Sequence, residues 1–211
     1  MNKSVLLGAT GEMGRNILAE LRKRDYYQEI YLLGRESILQ IPNEAGIKKV
    51  VVDFEVLDFD LDILKDADIF SALGTGGSDN FEKLDYEYPV AVAELAQGRA
   101  KSFNVVSAMG ANSHTSYHYL KVKGQMEEKI AAMDLPQVRF YRPSMLIAPN
   151  RRNLEVSEAI MIYFFKFFSP LMFGPLHDWR GIKPETVAKV MVENAMAGKE
   201  RQIYQYRQMV K

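Results

Sequence analysis

The chain has 211 residues, 47% of them hydrophobic, with 27 basic and 27 acidic side chains and no cysteine. That length and apolar content suit one globular domain with a sizeable core. The balanced charge argues against a nucleic-acid face built on bulk charge, and the missing cysteines exclude disulfides, thiolate nucleophiles and cysteine-ligated metals.

Ser4 to Leu7 reads as a strand, and Glu12 to Arg24 as a helix with Ile17, Leu18 and Leu21 on one face. Glu29 to Leu33 and Ile47 to Val52 read as further strands, and Ala67 to Leu73 as a fourth that ends at Gly74. A long helix is expected over Phe81 to Gln97, a fifth strand over Ser102 to Val106, another long helix within Asn112 to Met133, and a sixth strand over Gln137 to Tyr141. Strands alternating with helices predict an α/β, doubly wound, mainly parallel sheet. The alternation lapses after Pro143, and an amphipathic helix from Pro184 through Met196 follows later. One domain is therefore expected, with a dinucleotide-binding core at 1–145 and a lid or substrate section at 146–211, because doubly wound folds bind ligands beyond the strand C-termini.

The chain opens with too short an apolar run for a secretory segment. Its greasiest stretch, Ile160 to Phe168, carries Lys166 and falls short of the roughly 20 residues that span a bilayer as a helix. A cytoplasmic protein with no membrane span and no nucleic-acid partner is the expectation. The Phe-rich stretch reads as lid or core, with a homo-oligomer interface as the second reading. His114 and His118, four apart, have no evident third ligand nearby, so no metal is expected.

Gly8, Gly11 and Gly14 are spaced three and three between the first strand and the first helix. In such a loop the first glycine permits the tight turn, the second lets backbone amides approach a pyrophosphate, and the third lets the helix pack on the sheet. The helix N-terminus adds unpaired N–H groups and a positive dipole end. A tight turn without ligand would use similar glycines; strand, helix and spacing together favour the nucleotide. At the end of the second strand, where an NAD site usually has an acid for the ribose, stands Gly34-Arg35-Glu36. A guanidinium suits a 2′-phosphate, which favours NADP over NAD; Glu36 can neutralise Arg35 or serve NAD itself.

Tyr117–Lys121 and Tyr119–Lys123 are both Tyr-x-x-x-Lys pairs. At roughly 100° per residue, Tyr119 and Lys123 share a face with Met126, Ile130 and Met133, whereas Tyr117 and Lys121 lie opposite with Gln125 and Glu128. An inward tyrosine beside an ammonium has its phenolate favoured and can pass a proton to a substrate oxygen. Ser107, twelve residues before Tyr119, can hold a substrate carbonyl.

Gly-Ala-Thr-Gly-x-x-Gly-Arg at 8–15, Leu-Gly-Arg at 33–35, Val-Asp-Phe at 52–54, Leu-Gly-Thr at 73–75, Ser107 with Gly110-Ala111, Tyr-Leu-x-Val-Lys-Gly at 119–124 and Arg-Pro at 142–143 stand in this order. Jointly they resemble the atypical short-chain dehydrogenase/reductases, in the Tat-interacting-protein-like branch. The resemblance implies a Rossmann fold binding NADP(H). It implies that Gly8, Thr10, Gly11, Glu12, Met13 and Gly14 line the pyrophosphate, and that Arg35 meets the 2′-phosphate. Asp53 and Phe54 would flank the adenine, and Leu73, Gly74 and Thr75 would cover the inner ribose. Ser107, Tyr119 and Lys123 would be the catalytic trio, with Pro143 and Ser144 bordering the nicotinamide. The chain departs from the family pattern at Glu36, where a second basic residue is frequent, and at Ser144, where glycine is common.

Two functions follow. One is an NAD(P)-dependent oxidoreductase acting on a small-molecule carbonyl, quinone or alcohol. The other is a non-catalytic NADP(H)-sensing module with a regulatory protein partner.

Overall fold

The computed structural model describes residues 2–74, 80–144, 146, 181–200 and 202–210. Seven strands form one sheet: β1 (Lys3–Leu7), β2 (Glu29–Gly34), β3 (Ile47–Val51), β4 (Ala67–Ser71), β5 (Ser102–Val106), β6 (Val138–Tyr141) and β7 (Ile203–Tyr204). Their order is β3-β2-β1-β4-β5-β6-β7, with every neighbouring pair parallel. This is the doubly wound Rossmann architecture that the alternation predicts. The winding reverses between β1 and β4, so the crevice outside their C-terminal ends is where such a fold takes a ligand.

Alternate side chains of one strand feed two separate cores. On β1, Val5 and Leu7 enter one core and Leu6 the other, as the two-residue period of a strand requires. The Leu6 side is covered by α1 (Glu12–Arg22) and α4 (Pro184–Met196), through Ile17, Leu18 and Leu21 against Val187, Met191 and Ala195. The Val5 side is covered by α2 (Tyr88–Ala96) and α3 (His118–Ala131), through Val92, Ala93, Met126 and Ile130.

A buried polar network holds the sheet at the end of its strands opposite the crevice. Asp68, at the start of β4, accepts hydrogen bonds from Tyr27 (2.9 Å), Ser102 (2.6 Å) and Lys101 (3.3 Å). Asn104 donates to the Ser102 hydroxyl (2.9 Å) and accepts from Arg139 (3.2 Å), so these buried groups satisfy one another. Burial, reinforced by Asp68, pushes the Tyr27 phenol far above its ordinary range.

The structure refines the sequence expectations in three places. First, the helix expected over Phe81–Gln97 contains a π turn, Lys83–Glu87, that runs directly into α2. Second, α3 begins only at His118. Residues 112–117 form turns instead, in which the Asn112 side chain accepts from His114 N (2.9 Å) and Asn112 N donates to Leu120 O (3.0 Å); short polar side chains compete with the helix in this way. Third, a seventh strand exists. Two residues are too few to carry a period, and β7 is set by pairing with β6, Phe140 with Ile203 and Tyr141 with Tyr204. The described part of the 146–211 section thus belongs to the Rossmann layers: α4 packs on α1, and β7 extends the sheet, its Tyr204 ring stacked 4.9 Å from Tyr141. The Phe-rich stretch at 160–168 lies outside the described residues.

One glycine fixes how closely α3 approaches the loop before it. A Cβ on Gly124 would sit 2.2 Å from Ser113 N and 2.3 Å from Asn112 C, both backbone atoms that cannot swing aside. Gly124→Ala is expected to cost about 3 kcal/mol, measured as a lower urea midpoint at unchanged slope.

Candidate functional site

The crevice begins at Gly8, whose φ of +78° lies in the left-handed region that favours glycine. A Cβ there would meet Ala72 O at 2.7 Å, so the exits of β1 and β4 run in direct backbone contact. A Cβ on Gly14 would lie 2.0 Å from Gly8 O, so α1 crosses the same carbonyl closely. Gly11 is different. Its φ of −74° and ψ of 167° suit any residue, and a Cβ would touch only Gly8 O, at an ordinary 3.4 Å. Two of the three glycines are thus demanded by the fold, and the middle one is not.

Around this loop, Thr10 is exposed, and Met13 turns its side chain into the core. Glu12 opens α1 and pairs with Arg15 at 2.9 Å; Arg15 also donates to Thr10 O at 2.8 Å. Arg15 is therefore engaged locally. Arg35 is exposed immediately after β2, at the start of a short 3-10 turn (Glu36–Gln40). Among the described residues it forms no ion pair with Glu36 or any other acid.

Beyond β3, the Asp53 carboxylate accepts from Glu55 N at 2.9 Å and shapes a turn. Phe54 is buried, its ring stacked 5.0 Å from Tyr88 at the start of α2. Tyr88 donates to Glu55 at 2.7 Å, and Lys83 pairs with the same carboxylate. Hydrogen bonding to Lys83 and Tyr88 draws the Glu55 carboxyl below its usual range. Leu73 and Gly74 follow β4 at the crevice mouth; Thr75 lies outside the described residues.

The second half of the site is built on β5, α3 and the end of β6. Ser107 stands one residue past β5, buried, and its hydroxyl has no hydrogen-bond partner among the described residues. Ser4 and Ser71 share that condition, but they lie within strands. Lys123 is buried, whereas Tyr119, one turn earlier on α3 and expected inward, is 37% exposed and packs its ring 5.3 Å from Phe81. Tyr117 is 72% exposed, as its face of the helix predicts. Pro143 is buried, and its carbonyl accepts from Met109 N at 2.9 Å, tying the loop after β5 to the loop after β6; Ser144 follows, half-buried.

Two ion pairs lock α3 in place, and sequence reasoning missed both. Lys123 Nζ lies 2.8 Å from Asp85 Oδ1, with both side chains almost wholly buried. Arg142 Nε donates to both Glu127 oxygens, at 3.0 and 3.1 Å, which fastens the exit of β6 to the same helix. A signal for Asp85 was present: it lies on the buried stripe Phe81, Asp85, Pro89, Val92, Ala96, where an acid needs a partner. His118, expected to be a polar residue near the helix start, lies 3.3 Å from Glu82. Among the described residues no cluster of three or more metal-ligating side chains forms, and no helix is long and apolar enough to cross a membrane.

No protein-family model matches the chain. Protein HTATIP2 of Rattus norvegicus is 35% identical over 209 residues, 93% of this chain and 82% of that protein. Protein FMP52-1, mitochondrial, of Scheffersomyces stipitis is 31% identical over 185 residues, 80% of this chain and 78% of that one. Among solved structures, the oxidoreductase ylbE from Lactococcus lactis matches with a TM-score of 0.65 at 19% identity, over 95% of this chain and 88% of that one, a likeness of fold. Several FMP52 relatives are named mitochondrial. That overturns the expectation of a cytoplasmic protein, which rested on hydropathy. Some cellular addresses are read by receptors and leave no apolar run.

Arg142 and Glu127 are each more than four-fifths buried, so removing one charge strands the other. Glu127→Gln is expected to lower stability by about 2–3 kcal/mol, and Arg142→Gln by a similar amount. A double-mutant cycle in urea should return most of that loss as coupling; additive losses would show that the two residues act separately.

Proposed function

Because this chain belongs to the atypical short-chain dehydrogenase/reductases, in the branch of HTATIP2 and FMP52, we propose that it is an NADP(H)-dependent oxidoreductase acting on a carbonyl, a quinone or the corresponding alcohol. The observation that carries the reading is Gly11. Neither its backbone angles nor its neighbours require glycine, so the missing side chain is free to serve something outside the chain. At the N-terminus of α1, that something is an anion approached by backbone N–H groups. Gly8, Thr10, Glu12, Met13 and Gly14 complete the loop that would hold a pyrophosphate.

Arg35 supports NADP over NAD. Its exposed guanidinium, with no acidic partner among the described residues, is available for a bidentate grip on a 2′-phosphate. Asp53 and Phe54 would border the adenine, with Leu73, Gly74 and Thr75 over the inner ribose and Pro143 and Ser144 beside the nicotinamide. When bound, the dihydronicotinamide supplies a hydride to the carbonyl carbon. The chain's own residues manage the oxygen. Ser107 offers a buried hydroxyl, without a partner among the described residues, to hold it. Tyr119, at the rim of the site, gives it a proton as the C–H bond forms, and the phenolate left behind is stabilised by the Lys123 ammonium. Reprotonation from solvent restores the phenol.

A thermal-shift titration tests the cofactor. NADPH and NADP should raise the melting temperature, with NADH weaker. Gly11→Ala should leave the stability of the free protein within about 1 kcal/mol and abolish the shift. Arg35→Ala should weaken NADPH by about 10- to 100-fold and leave NADH unchanged. An equal response to NADH in the wild type would return the 2′ end of the site to Glu36.

Tyr119→Phe tests the chemistry. Turnover should fall by at least about 100-fold with NADPH affinity retained. Full activity in that variant would sink the mechanism. A wild type that binds NADPH and turns over no carbonyl or quinone would leave the nucleotide-sensing module as the reading.

A further inference from the structure

Lys123 is buried on α3 and reaches two acceptors, Asp85 Oδ1 at 2.8 Å and Val106 O at 3.3 Å. An ammonium has three N–H groups. These two contacts therefore direct two of them and leave one to point elsewhere. Val106 O belongs to the end of β5, one residue before Ser107, and is fixed by the sheet. Asp85 is the acceptor that had to be brought in from another element.

Three features bring it there. Asp85 occupies the middle of the π turn Lys83–Glu87, and widened turns of this kind recur at functional sites. The side chain is almost entirely removed from solvent, where a carboxyl group needs a polar partner. Its Oδ1 also lies 2.9 Å from where a Cβ on Gly74 would stand. No side chain fits at 74 while the carboxylate holds this position. The same oxygen thus faces the end of β4 and the ammonium on α3.

We propose that Asp85 is a positioning residue that aims the Lys123 ammonium, and that Gly74 is glycine so that the Asp85 carboxylate can reach it. The proposal rests on the reading of Lys123 as part of an NADP(H) site. Asp85 acts through Lys123 and carries no proton to substrate. The role needs an oxygen acceptor at that point, so an amide oxygen serves in part where a methyl group does not. A Cβ at 74 moves the acceptor while leaving both charges in the protein.

The test uses the full chain, with NADPH binding followed by nucleotide fluorescence and turnover followed on the best wild-type substrate. Asp85→Ala should lower kcat at least tenfold and weaken NADPH at least threefold, with substrate KM changed less than threefold. Asp85→Asn should recover at least threefold of the lost kcat. Gly74→Ala should reproduce the loss, and Gly74→Ala/Asp85→Ala should be no worse than Asp85→Ala within twofold, because both changes act on one contact. If Asp85→Ala does not fold, Asp85→Ser and Asp85→Asn carry the comparison, since Gly74 also borders the ribose in the proposed site: a tenfold loss in the first, whose hydroxyl is too short to reach Lys123, and a smaller loss in the second support the role. Wild-type kcat and NADPH affinity within twofold in Asp85→Ala or Gly74→Ala, or losses that multiply in the double variant, overturn it. Failure of the wild type itself to bind NADPH would instead remove the underlying site, and Asp85→Ala would then alter only the melting temperature.

Discussion

The carbonyl of Gly8 is the point on which the first half of the crevice closes. It accepts the Gly11 N–H at 3.0 Å and lies where side chains at 14 would collide with it, while Gly8 itself abuts Ala72. Three backbone segments, the exits of β1 and β4 and the first turn of α1, therefore meet at van der Waals distance with nothing between them. That closeness places the α1 N-terminus over the crevice between β1 and β4. It also lets α1 lie flat enough on the sheet to pack against α4, which ties the last third of the chain to the first.

The other half is organised by charge rather than by glycine. Helix α3 carries Tyr119, Lys123 and Glu127 at four-residue intervals, one face presenting three ionisable groups in succession. Two of them are buried, and each meets an opposite charge from a different element: Asp85 from the turn before α2, and Arg142 from the end of β6. Buried pairs of this kind add little net stability over apolar packing, but each fixes a relative position, because displacing one partner exposes the other to an uncompensated charge in a low dielectric. Tyr119, the outermost of the three, is held against Phe81 and stays accessible. The gradient from exposed phenol to buried ammonium to buried ion pair runs along a single helix.

Much of this was legible in the chain. The three glycines, the alternation of strands and helices, and the helical phase that buries Lys123 and leaves Lys121 exposed are short-range patterns, and short-range patterns are printed in sequence; the same phase put Tyr119 inward, where the structure leaves it exposed near the helix start. Asp85 was harder. It sits among Glu82, Lys83, Asp85 and Glu87, an ordinary-looking charged helix start, and only its place on the apolar stripe marks it. Glu127 and Arg142 are fifteen residues apart on elements whose approach no local pattern specifies. β7 is a strand solely because β6 lies beside it.

By itself, then, the sequence determined the α/β class, the position of the glycine loop between β1 and α1 and the face of α3 that carries Lys123, Met126 and Ile130 inward, since each depends on periods of two, three or four residues that backbone geometry imposes locally. Tertiary structure alone decided which glycines the packing requires and which it does not, which acid lies against the buried lysine, and that the C-terminal helix and strand join the Rossmann layers. Those outcomes depend on how close separate segments come in space. A distance of 2.8 Å between side chains 38 positions apart follows from the packing of the whole fold and has no local signature.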